Sequence, residues 1–177
     1  MSKDTINYWN NRYANGRNSG AGSYGEFLNR KLNWLKNLDI KSIVDVGCGD
    51  FNFGKHLTEM YPNVSYLGLD SSDFIIHKNS LLYPEHKFQV VDDIPQADLV
   101  LCIDVLLHVL DEKEVEDLLN KLEKSWVKYL AITAYERNEE MGNHVRIRKF
   151  DYKRFGEPII REICEEDGEH YFYLWKK

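Results

Sequence analysis

The sequence lacks the features that would place it in several common protein classes. Its three cysteines lie far apart in the chain, so neither a disulfide framework nor a zinc cluster is expected. Its apolar runs, such as residues 99–103, are far shorter than the roughly 20 residues that cross a bilayer. The first eleven residues lack the apolar stretch of a secretory signal. We therefore expect a cytoplasmic protein that has no metal site and does not insert into a membrane.

Positive charge is also scarce, because 23 Lys and Arg residues stand against 29 Asp and Glu residues, for a formal charge of −6. Such a protein has no general attraction for duplex nucleic acid or anionic lipid. The four prolines are isolated, and no repeat or low-complexity tract divides the chain. The length of 177 residues therefore predicts one domain over residues 1–177.

Short runs rich in Val, Ile and Leu alternate with helix-like segments through most of the chain. The predicted strands are residues 42–46, 66–69, 88–91, 99–103 and 129–133. The predicted helices are residues 27–38, 53–60, 73–82 and 112–126. This alternation predicts an α/β fold with a parallel sheet covered on both faces. Two later runs, 159–164 and 171–175, flank the turn-forming segment 165–169 and predict a terminal antiparallel hairpin.

The segment 43–51, Ile-Val-Asp-Val-Gly-Cys-Gly-Asp-Phe, runs from a buried strand into a turn with two glycines and then a helix. Gly47 and Gly49 would let a ligand touch the main chain, and the helix start would offer free amide groups to a polar or anionic moiety. Asp70 ends the next strand, 21 residues after Gly49. A carboxylate at that position can accept hydrogen bonds from both hydroxyls of a ribose.

Residues 44–50, Val-Asp-Val-Gly-Cys-Gly-Asp, resemble motif I of the class I S-adenosylmethionine-dependent methyltransferases, and Gly-Leu-Asp at 68–70 resembles their second motif. Asn52 replaces the last glycine of the dinucleotide fingerprint, which counts against a nicotinamide-dependent reductase. Phe51 departs from the fuller methyltransferase pattern, where a third glycine is frequent. The resemblance implies a Rossmann-like, doubly wound, mostly parallel seven-stranded sheet that ends in an antiparallel hairpin, with S-adenosylmethionine as cofactor.

The resemblance also implies which residues hold the cofactor. Residues 90–95 resemble the acidic end of the third strand, where such enzymes place a carboxylate at the adenine amino group. Residues 99–109 resemble the fourth strand and its exit loop, which lies beneath the transferring methyl. The residues assigned to the cofactor are Asp45, Gly47, Cys48, Gly49, Asp70, Ser71, Asp93, Ile94, Tyr8, Trp9 and Tyr13.

Placement of the acceptor does most of the catalysis in such an enzyme, and a base is needed only where the acceptor is not already anionic. His108, after the fourth strand, and His144, after the fifth, are the candidate bases. Asp104 is a candidate for steering the acceptor. Each of the three also has an ordinary structural explanation, as a packing, capping or exposed loop residue.

Residues 143–154 carry five basic residues and one acidic residue, a local charge of +4. Arg146 and Arg148 are therefore predicted to bind an anionic acceptor, since guanidinium groups suit phosphate or carboxylate. The alternative is a solvated strand edge balanced by the acidic segment 157–169, which has one basic and six acidic residues.

Residues 1–25 combine several aromatic side chains with four glycines between positions 16 and 25. They are predicted to form a flexible lid in which Tyr8, Trp9 and Tyr13 close over the ligand and Tyr24 contacts the acceptor. The alternative is a disordered leader. The segment is similar to small bacterial methyltransferases linked to surface-glycan assembly.

The leading hypothesis is methyl transfer to an oxygen of a small anionic or glycan acceptor, such as a phosphorylated sugar. The alternatives are an RNA or protein methyltransferase and a non-catalytic scaffold that binds S-adenosylmethionine. The net charge of −6 argues against RNA. Residues 103–106 read Ile-Asp-Val-Leu, where amino-group methylases carry an Asn-Pro-Pro-Tyr-like tetrapeptide. The sequence leaves the oligomeric state open.

Overall fold

A computed structural model describes residues 2–140, 144–164 and 169–177. The helices are α1 (Lys3–Ala14), α2 (Gly25–Trp34), α3 (Asn52–Met60), α4 (Asp73–Leu82) and α5 (Glu112–Ser125). The strands are β1 (Ser42–Val46), β2 (Ser65–Asp70), β3 (Lys87–Val90), β4 (Ala97–Cys102), β5 (Trp126–Tyr135), β6 (Glu139–Glu140), β7 (Arg146–Ile147), β8 (Ile160–Ile163) and β9 (His170–Lys176). Short 3₁₀ turns occupy Ala21–Ser23, Leu106–His108 and Tyr152–Phe155.

Seven strands form one sheet in the order β3-β2-β1-β4-β5-β9-β8. The pairs β1–β2, β1–β4, β2–β3 and β4–β5 are parallel, whereas β9 is antiparallel to both β5 and β8. The predicted doubly wound sheet with a terminal antiparallel hairpin is therefore confirmed. Residues 165–168 of the predicted hairpin turn lie outside the described residues.

The apolar residues of β4 explain why helices cover both faces of the sheet. Leu99 and Leu101 belong to one core cluster, and Val100 and Cys102 belong to the other, because side chains alternate between the faces of a strand. Helices α2 and α3 add Leu28, Leu32, Phe53 and Leu57 to the first cluster, and α5 adds Leu119 and Leu122 to the second. A strand buried on both faces has to be apolar at nearly every position, and this continuous apolar run is what predicted β4 from the sequence.

The N-terminal segment differs from the predicted flexible loop, because residues 3–14 form the helix α1. Ser2 caps this helix by accepting a hydrogen bond from the amide of Thr5. The side chain of Asn10 links this helix to the start of α4. Its Oδ1 accepts a hydrogen bond from Ser72 Oγ at 2.5 Å, and its Nδ2 donates to Asp73 Oδ1 at 2.8 Å. Three asparagines and two tyrosines give the segment weak helix propensity, so tertiary contacts provide much of its stability.

Element ends differ from the predictions for local reasons. Helix α2 ends at Trp34 instead of residue 38, and Asn37 shortly beyond it has a φ of +63° that no helix contains. Trp126 begins β5 instead of ending α5, since the chain passes from helix to strand without a loop. The small ladder of β6 and β7 was not predicted, because two-residue strands carry no periodic signal. Within the described ranges no helix has the length and apolar character to cross a bilayer.

Candidate functional site

A cleft of about 910 Å³ lies at the C-terminal ends of the parallel strands. Its walls come from the turns that follow β1, β2, β3 and β4, from one face of α5 and from the N-terminal segment. Ligands of open α/β sheets bind at this edge, and a cleft of this volume holds a molecule of cofactor size. Among the residues lining it are Trp9, Tyr13, Ser19, Ser23, Gly47, Asp70, Ser71, Asp92, Ile94, Asp104, Val105 and His108.

The two glycines of the turn after β1 are required by close contacts within the protein. Gly47 has a φ of +78°, and a Cβ added to it would lie 2.3 Å from Cγ2 of Val105. Gly49 has a φ of +52°, and its Cβ would lie 2.1 Å from Oγ of Ser19. The glycines therefore allow the exit loop of β4 and the N-terminal segment to approach the turn, as well as exposing Gly47 to the cleft.

The amide groups of this turn are already bonded within the protein. Each N–H from Gly47 to Asn52 donates to a protein acceptor at 2.7–3.3 Å. The acceptors are the carbonyl of Leu69, used twice, then Asp70 Oδ2, Ser19 Oγ, the carbonyl of Cys48 and Asp50 Oδ1. The expectation that the turn offers free amides to an anionic group is therefore wrong.

Asp70 ends β2 with a carboxylate that is 7% exposed and lines the cleft. Its Oδ2 accepts the amide hydrogen of Gly49 at 3.0 Å, and its Oδ1 accepts that of Ser72 at 2.9 Å. Burial raises the pKa of Asp70 above its usual 3.8, although these backbone donors partly offset it. Each carboxylate oxygen can accept a second hydrogen bond, so the group can also receive two hydroxyls from the cleft.

Two residues assigned to the cofactor lie beneath the turn instead of on the cleft. Asp45 is 3% exposed and accepts a hydrogen bond from the hydroxyl of Tyr66 at 2.7 Å. Burial raises the pKa of Asp45 to about 6. The thiol of Cys48 is buried against Gly68, and burial raises its pKa well above the usual range. Both side chains support the turn from the protein interior.

The acidic segment after β3 places a different carboxylate on the cleft from the one predicted. Asp92 and Asp93 are both exposed, but only Asp92 lines the cleft, whereas Oδ1 of Asp93 accepts the amide hydrogen of Ile94 at 2.9 Å. Ile94 lines the cleft as predicted. Adjacent residues after a strand point in different directions, so two consecutive aspartates could not be distinguished from sequence.

Asp104 lies at the centre of a buried polar cluster after β4. Its Oδ2 lies 2.5 Å from Nζ of Lys31, and Lys31 also donates to the carbonyl of Gly22 at 3.1 Å. Thr133 accepts the amide hydrogen of Asp104 at 2.7 Å and donates its own hydroxyl to Oδ1 at 2.8 Å. Nε2 of His170 lies 3.5 Å from the same Oδ1. The cluster joins α2, β4, β5 and β9.

The charges of this cluster decide the ionisation of Asp104. Burial raises its pKa, but the positive charge of Lys31, the nearby His170 and the hydrogen bonds outweigh burial, so the pKa lies below its usual 3.8. Lys31 was not singled out from sequence, although its place between Leu28 and Leu32 on the apolar face of α2 was a usable signal. A charged residue on such a face needs a buried partner.

The two candidate bases occupy different positions. His108 lines the cleft, and its Nδ1 lies 2.9 Å from the main-chain carbonyl oxygen of His144. The ring of Trp9 meets His108 edge-on at 4.8 Å, and the ring of Tyr8 stacks on His144 at 4.3 Å. The ring of His144 is not among the described residues that line the cleft. Burial lowers the pKa of His108 below its usual 6.5.

The structure does not bring the predicted acceptor-binding arginines to this cleft. Arg148 donates to Oε1 of Glu112 at 2.9 Å and to the carbonyl oxygens of Val109, at 2.7 Å, and Leu110. Arg146 also contacts Glu112, at 3.1 Å, and both arginines line a second cavity of about 890 Å³. Their guanidinium groups hold the loop before α5.

Tyr24, the other predicted acceptor residue, is directed toward the glycine turn. Its hydroxyl donates to Oδ2 of Asp50 at 2.7 Å, and it is not among the described residues that line the cleft. Burial raises the pKa of Tyr24. No group of three His, Cys, Asp or Glu side chains suited to a metal ion occurs in the described parts of the chain.

The contact between Gly47 and Val105 yields a prediction about stability. Gly16→Ala, at a φ of +72° with no atom within 4 Å, carries only the backbone strain, about 1 kcal/mol. Gly47→Ala has this strain and also a clash with Val105. The free energy of unfolding of the Gly47→Ala variant, measured in urea, should therefore be roughly 1–3 kcal/mol lower than that of Gly16→Ala. Val105→Ala in the Gly47→Ala background should recover part of that difference. Equal losses for the two alanine variants would contradict the contact.

The pair of Lys31 and Asp104 yields a prediction about pH. Lys31→Met removes the cation from the Asp104 carboxylate, which is 22% exposed and keeps Thr133 and His170 nearby. The free energy of unfolding at neutral pH should therefore fall by about 3 kcal/mol, the lower end of the cost of breaking a buried pair. Because the folded pKa of Asp104 is lowered, the pair stabilises fully above the usual 3.8 and loses its effect as the pH falls through the folded value. The difference in free energy of unfolding between Lys31→Met and the wild type, measured by urea unfolding, should therefore become smaller in acid.

The exposed Lys36→Met, whose ammonium contacts only Asn33 among the described residues, is the matched control and should be nearly neutral at every pH. A gap for Lys31→Met that stays constant from neutral to acid pH would contradict the assigned ionisation of Asp104.

No protein-family model and no curated protein sequence matches this chain. Solved structures do match it. The N-methyltransferase NodS from Bradyrhizobium japonicum, crystallised with S-adenosyl-L-homocysteine, aligns with a TM-score of 0.72 at 13% identity over 99% of each chain. An O-methyltransferase family protein from Burkholderia thailandensis aligns with a TM-score of 0.64 at 12% identity, over 85% of this chain and 57% of that one.

Human N-acetylserotonin methyltransferase, crystallised with S-adenosylmethionine, aligns with a TM-score of 0.59 at 15% identity. The match covers 85% of this chain and 55% of the human protein, so this chain spans little more than half of that length. The chain has the fold of the class I S-adenosylmethionine-dependent methyltransferases.

Proposed function

We propose that this protein binds S-adenosylmethionine in the cleft and transfers its methyl group to a small acceptor. The observation that carries the proposal is the carboxylate of Asp70, buried at the end of β2 and open to the cleft beside Gly47. Support also comes from the fold, because the NodS and human structures contain S-adenosylhomocysteine and S-adenosylmethionine respectively.

The residues of the cleft fit this cofactor from one end to the other. Asp70 would accept the ribose hydroxyls, and Asp92 with Ile94 would meet the adenine, since they follow the neighbouring strand β3. The amides of the glycine turn are occupied, so the amino-acid end would rely on the indole and hydroxyl groups of Trp9 and Ser23. When bound, the cofactor supplies an electrophilic methyl on a sulfonium.

The acceptor would lie where the cleft passes Asp104 and His108, after β4. This position is next to the turn after β1, because β1 and β4 are neighbours in the sheet. An acceptor held there would be aligned by the protein before reaction, which is the largest contribution such an enzyme makes. A small acceptor, or the end of a larger one such as a glycan, fits the remaining space.

Residues 1–25 would act as a lid over the cofactor. Ser19 and Asp50 exchange two hydrogen bonds, from the Ser19 amide to Asp50 Oδ2 at 2.9 Å and from the Asp50 amide to Ser19 Oγ at 2.8 Å. Asn52 adds a bond from its side chain to the carbonyl of Ser23 at 2.6 Å. Trp9 and Tyr13 of α1 form part of the cleft wall, so the cofactor would enter before the lid closes.

The assignment of Asp70 is tested by Asp70→Asn. The substitution keeps the volume but removes the charge, and hydrogen bonds to a charged acceptor are worth about 1.5–3 kcal/mol. The dissociation constant of S-adenosylhomocysteine, measured by calorimetry, should therefore rise by roughly 10- to 100-fold. Asp39→Asn, with a side chain that is 89% exposed, is the control and should bind as the wild type does. Unchanged affinity in a folded Asp70→Asn variant would remove the proposed ribose site.

The lid is tested by Ser19→Ala. Loss of the hydrogen bond from Asp50 costs about 1 kcal/mol, so amide exchange over residues 16–25 should be about fivefold faster. S-adenosylhomocysteine should slow exchange in the same residues of the wild type. Ser80→Ala, whose hydroxyl bonds within α4 to Ile76, is the control. Exchange that responds neither to Ser19→Ala nor to the ligand would contradict the lid.

A further inference from the structure

The strand β3 leaves one end of the sheet open. It is the last strand at that end, and among the described strands it pairs with β2 alone. The amide of Val91, just after the strand, donates to the carbonyl of Asp70 in β2 at 2.9 Å. Because the hydrogen-bonding groups of successive residues point to opposite sides of a strand, Gln89 also faces β2. Phe88 and Val90 therefore direct their N–H and C=O groups to the open edge.

Apolar side chains are exposed at the same end of the sheet. Val90 is 50% exposed, and α4, which packs on β3, exposes Phe74, Leu81 and Leu82. Phe74 and Leu81 are seven residues apart and share one side of a helix whose apolar residues would normally point inward. These four make up most of the large apolar residues that are exposed in the described parts of the chain. Such a concentration is typical of an interaction surface.

Two copies of β3 complement each other in an antiparallel arrangement with Gln89 on a two-fold axis. Each Phe88 then lies opposite Val90 of the second copy, and both pairs exchange hydrogen bonds across the open edge. The side chains of Phe88 and Val90 share one face of the sheet, so each Val90 gains an apolar neighbour. The amide of Gln89 meets its own equivalent, with which it can both donate and accept a hydrogen bond.

The charges of the segment agree with this arrangement. In an antiparallel pair the start of one strand lies beside the end of the other, so Lys87 lies opposite Val91 of the second copy. Asp92 and Asp93 follow Val91, and each basic start therefore meets an acidic end. Val91 and Asp92 also line the cleft, so the second copy would border the cleft where it passes β3.

The opposite edge of the sheet does not offer such a match. Cys164, just after β8, donates its amide to the carbonyl of His170 at 2.8 Å, so Arg161 and Ile163 face the open side. The antiparallel registers that overlap most of β8 with a second copy place either Arg161 or Glu162 opposite its own equivalent. Like charges directly opposite each other are destabilising and protect edge strands from pairing. Self-association is therefore expected at β3 and not at β8.

We infer that two copies of this chain associate through β3 and α4 into a symmetric dimer whose sheet continues from one copy to the other. Four-residue strands are too short to hold a dimer, since stable interfaces bury more than about 1,000 Å². The α4 helices supply further contact, because the axis is perpendicular to the sheet and leaves both on one face, over strands about 4.8 Å apart. The inference goes beyond the proposed function and does not depend on it.

The first test is the mass of the full chain in solution, measured by sedimentation velocity from micromolar to submillimolar concentration. We expect a concentration-dependent dimer of twice the mass of the chain. A chain that stays monomeric throughout this range leaves the apolar surface to a different partner and would overturn the inference.

The second test is charge at position 89, where the side chain meets its own equivalent. Gln89→Glu and Gln89→Lys each place like charges on the axis and should weaken the dimer roughly 5- to 30-fold. An equimolar mixture of the two variants should restore association, because each carboxylate then faces an ammonium. Gln96→Glu, an exposed change outside the strand, is the matched control and should associate as the wild type does. A mixture that associates no better than either variant alone contradicts the axis at Gln89.

The third test is the main chain of the two edges. Val90→Pro removes an N–H of the open edge without removing a bond to β2, and it should weaken the dimer at least about tenfold. Ile163→Pro removes the equivalent N–H at β8 and should leave association unchanged. Dissociation caused by Ile163→Pro alone would place the contact at β8 and refute the inference. The Gln89 variants alter only an exposed side chain, so they decide the question even where proline disturbs the fold.

The fourth test is the contribution of α4. Leu81→Glu places a charge on the exposed apolar side of the helix and should weaken the dimer at least about tenfold. Val127→Glu, at an exposed apolar residue of β5, is the matched control and should not change association. A dimer that Leu81→Glu leaves intact would show that α4 is not part of the interface and would overturn the inference.

Discussion

The buried ion pair of Lys31 and Asp104 is the interaction on which the arrangement of the site most depends. It joins the helix before the sheet to the exit of β4, while Thr133 and His170 attach the same carboxylate to β5 and β9. Removing two charges from water is costly, and the cost is offset only when every partner is in place. The position of the exit loop, and hence of His108, therefore depends on several elements at once.

The second constraint is the close approach of main chain at the glycine turn. Ser19 and Val105 lie so near to Gly49 and Gly47 that neither position has room for a methyl group. Every amide of the turn has a protein partner, and only that of Asp50 takes its partner, Ser19 Oγ, from the N-terminal segment. The conformation of the turn is therefore set mainly by bonds within the sheet and the turn itself.

The sheet and the position of the Asp70 carboxylate at the end of β2 could be predicted because their signals are local. Strands buried on both faces read as apolar runs, and Asp70 follows such a run at the spacing of a nucleotide-binding unit. The helical character of residues 3–14 was missed, since contacts with α4 stabilise it more than its own sequence does. Arg146 and Arg148 were misplaced because local charge does not reveal which acid, here Glu112, a guanidinium will meet.

The glycine-rich run at residues 16–25 shows that glycine content and mobility are separate properties. Gly16, Gly20 and Gly25 have a positive φ with no atom within 4 Å of an added Cβ. The φ of Gly25, +57°, is one that asparagine tolerates, so an engineer seeking a stiffer chain could place asparagine there, whereas Gly20, with a φ of 107° and a ψ of 171°, needs glycine. Gly22 is different, because its Cβ would lie 2.1 Å from Oδ2 of Asp104. Any side chain there would separate the carboxylate from its lysine, so this single position limits how the whole run can be redesigned.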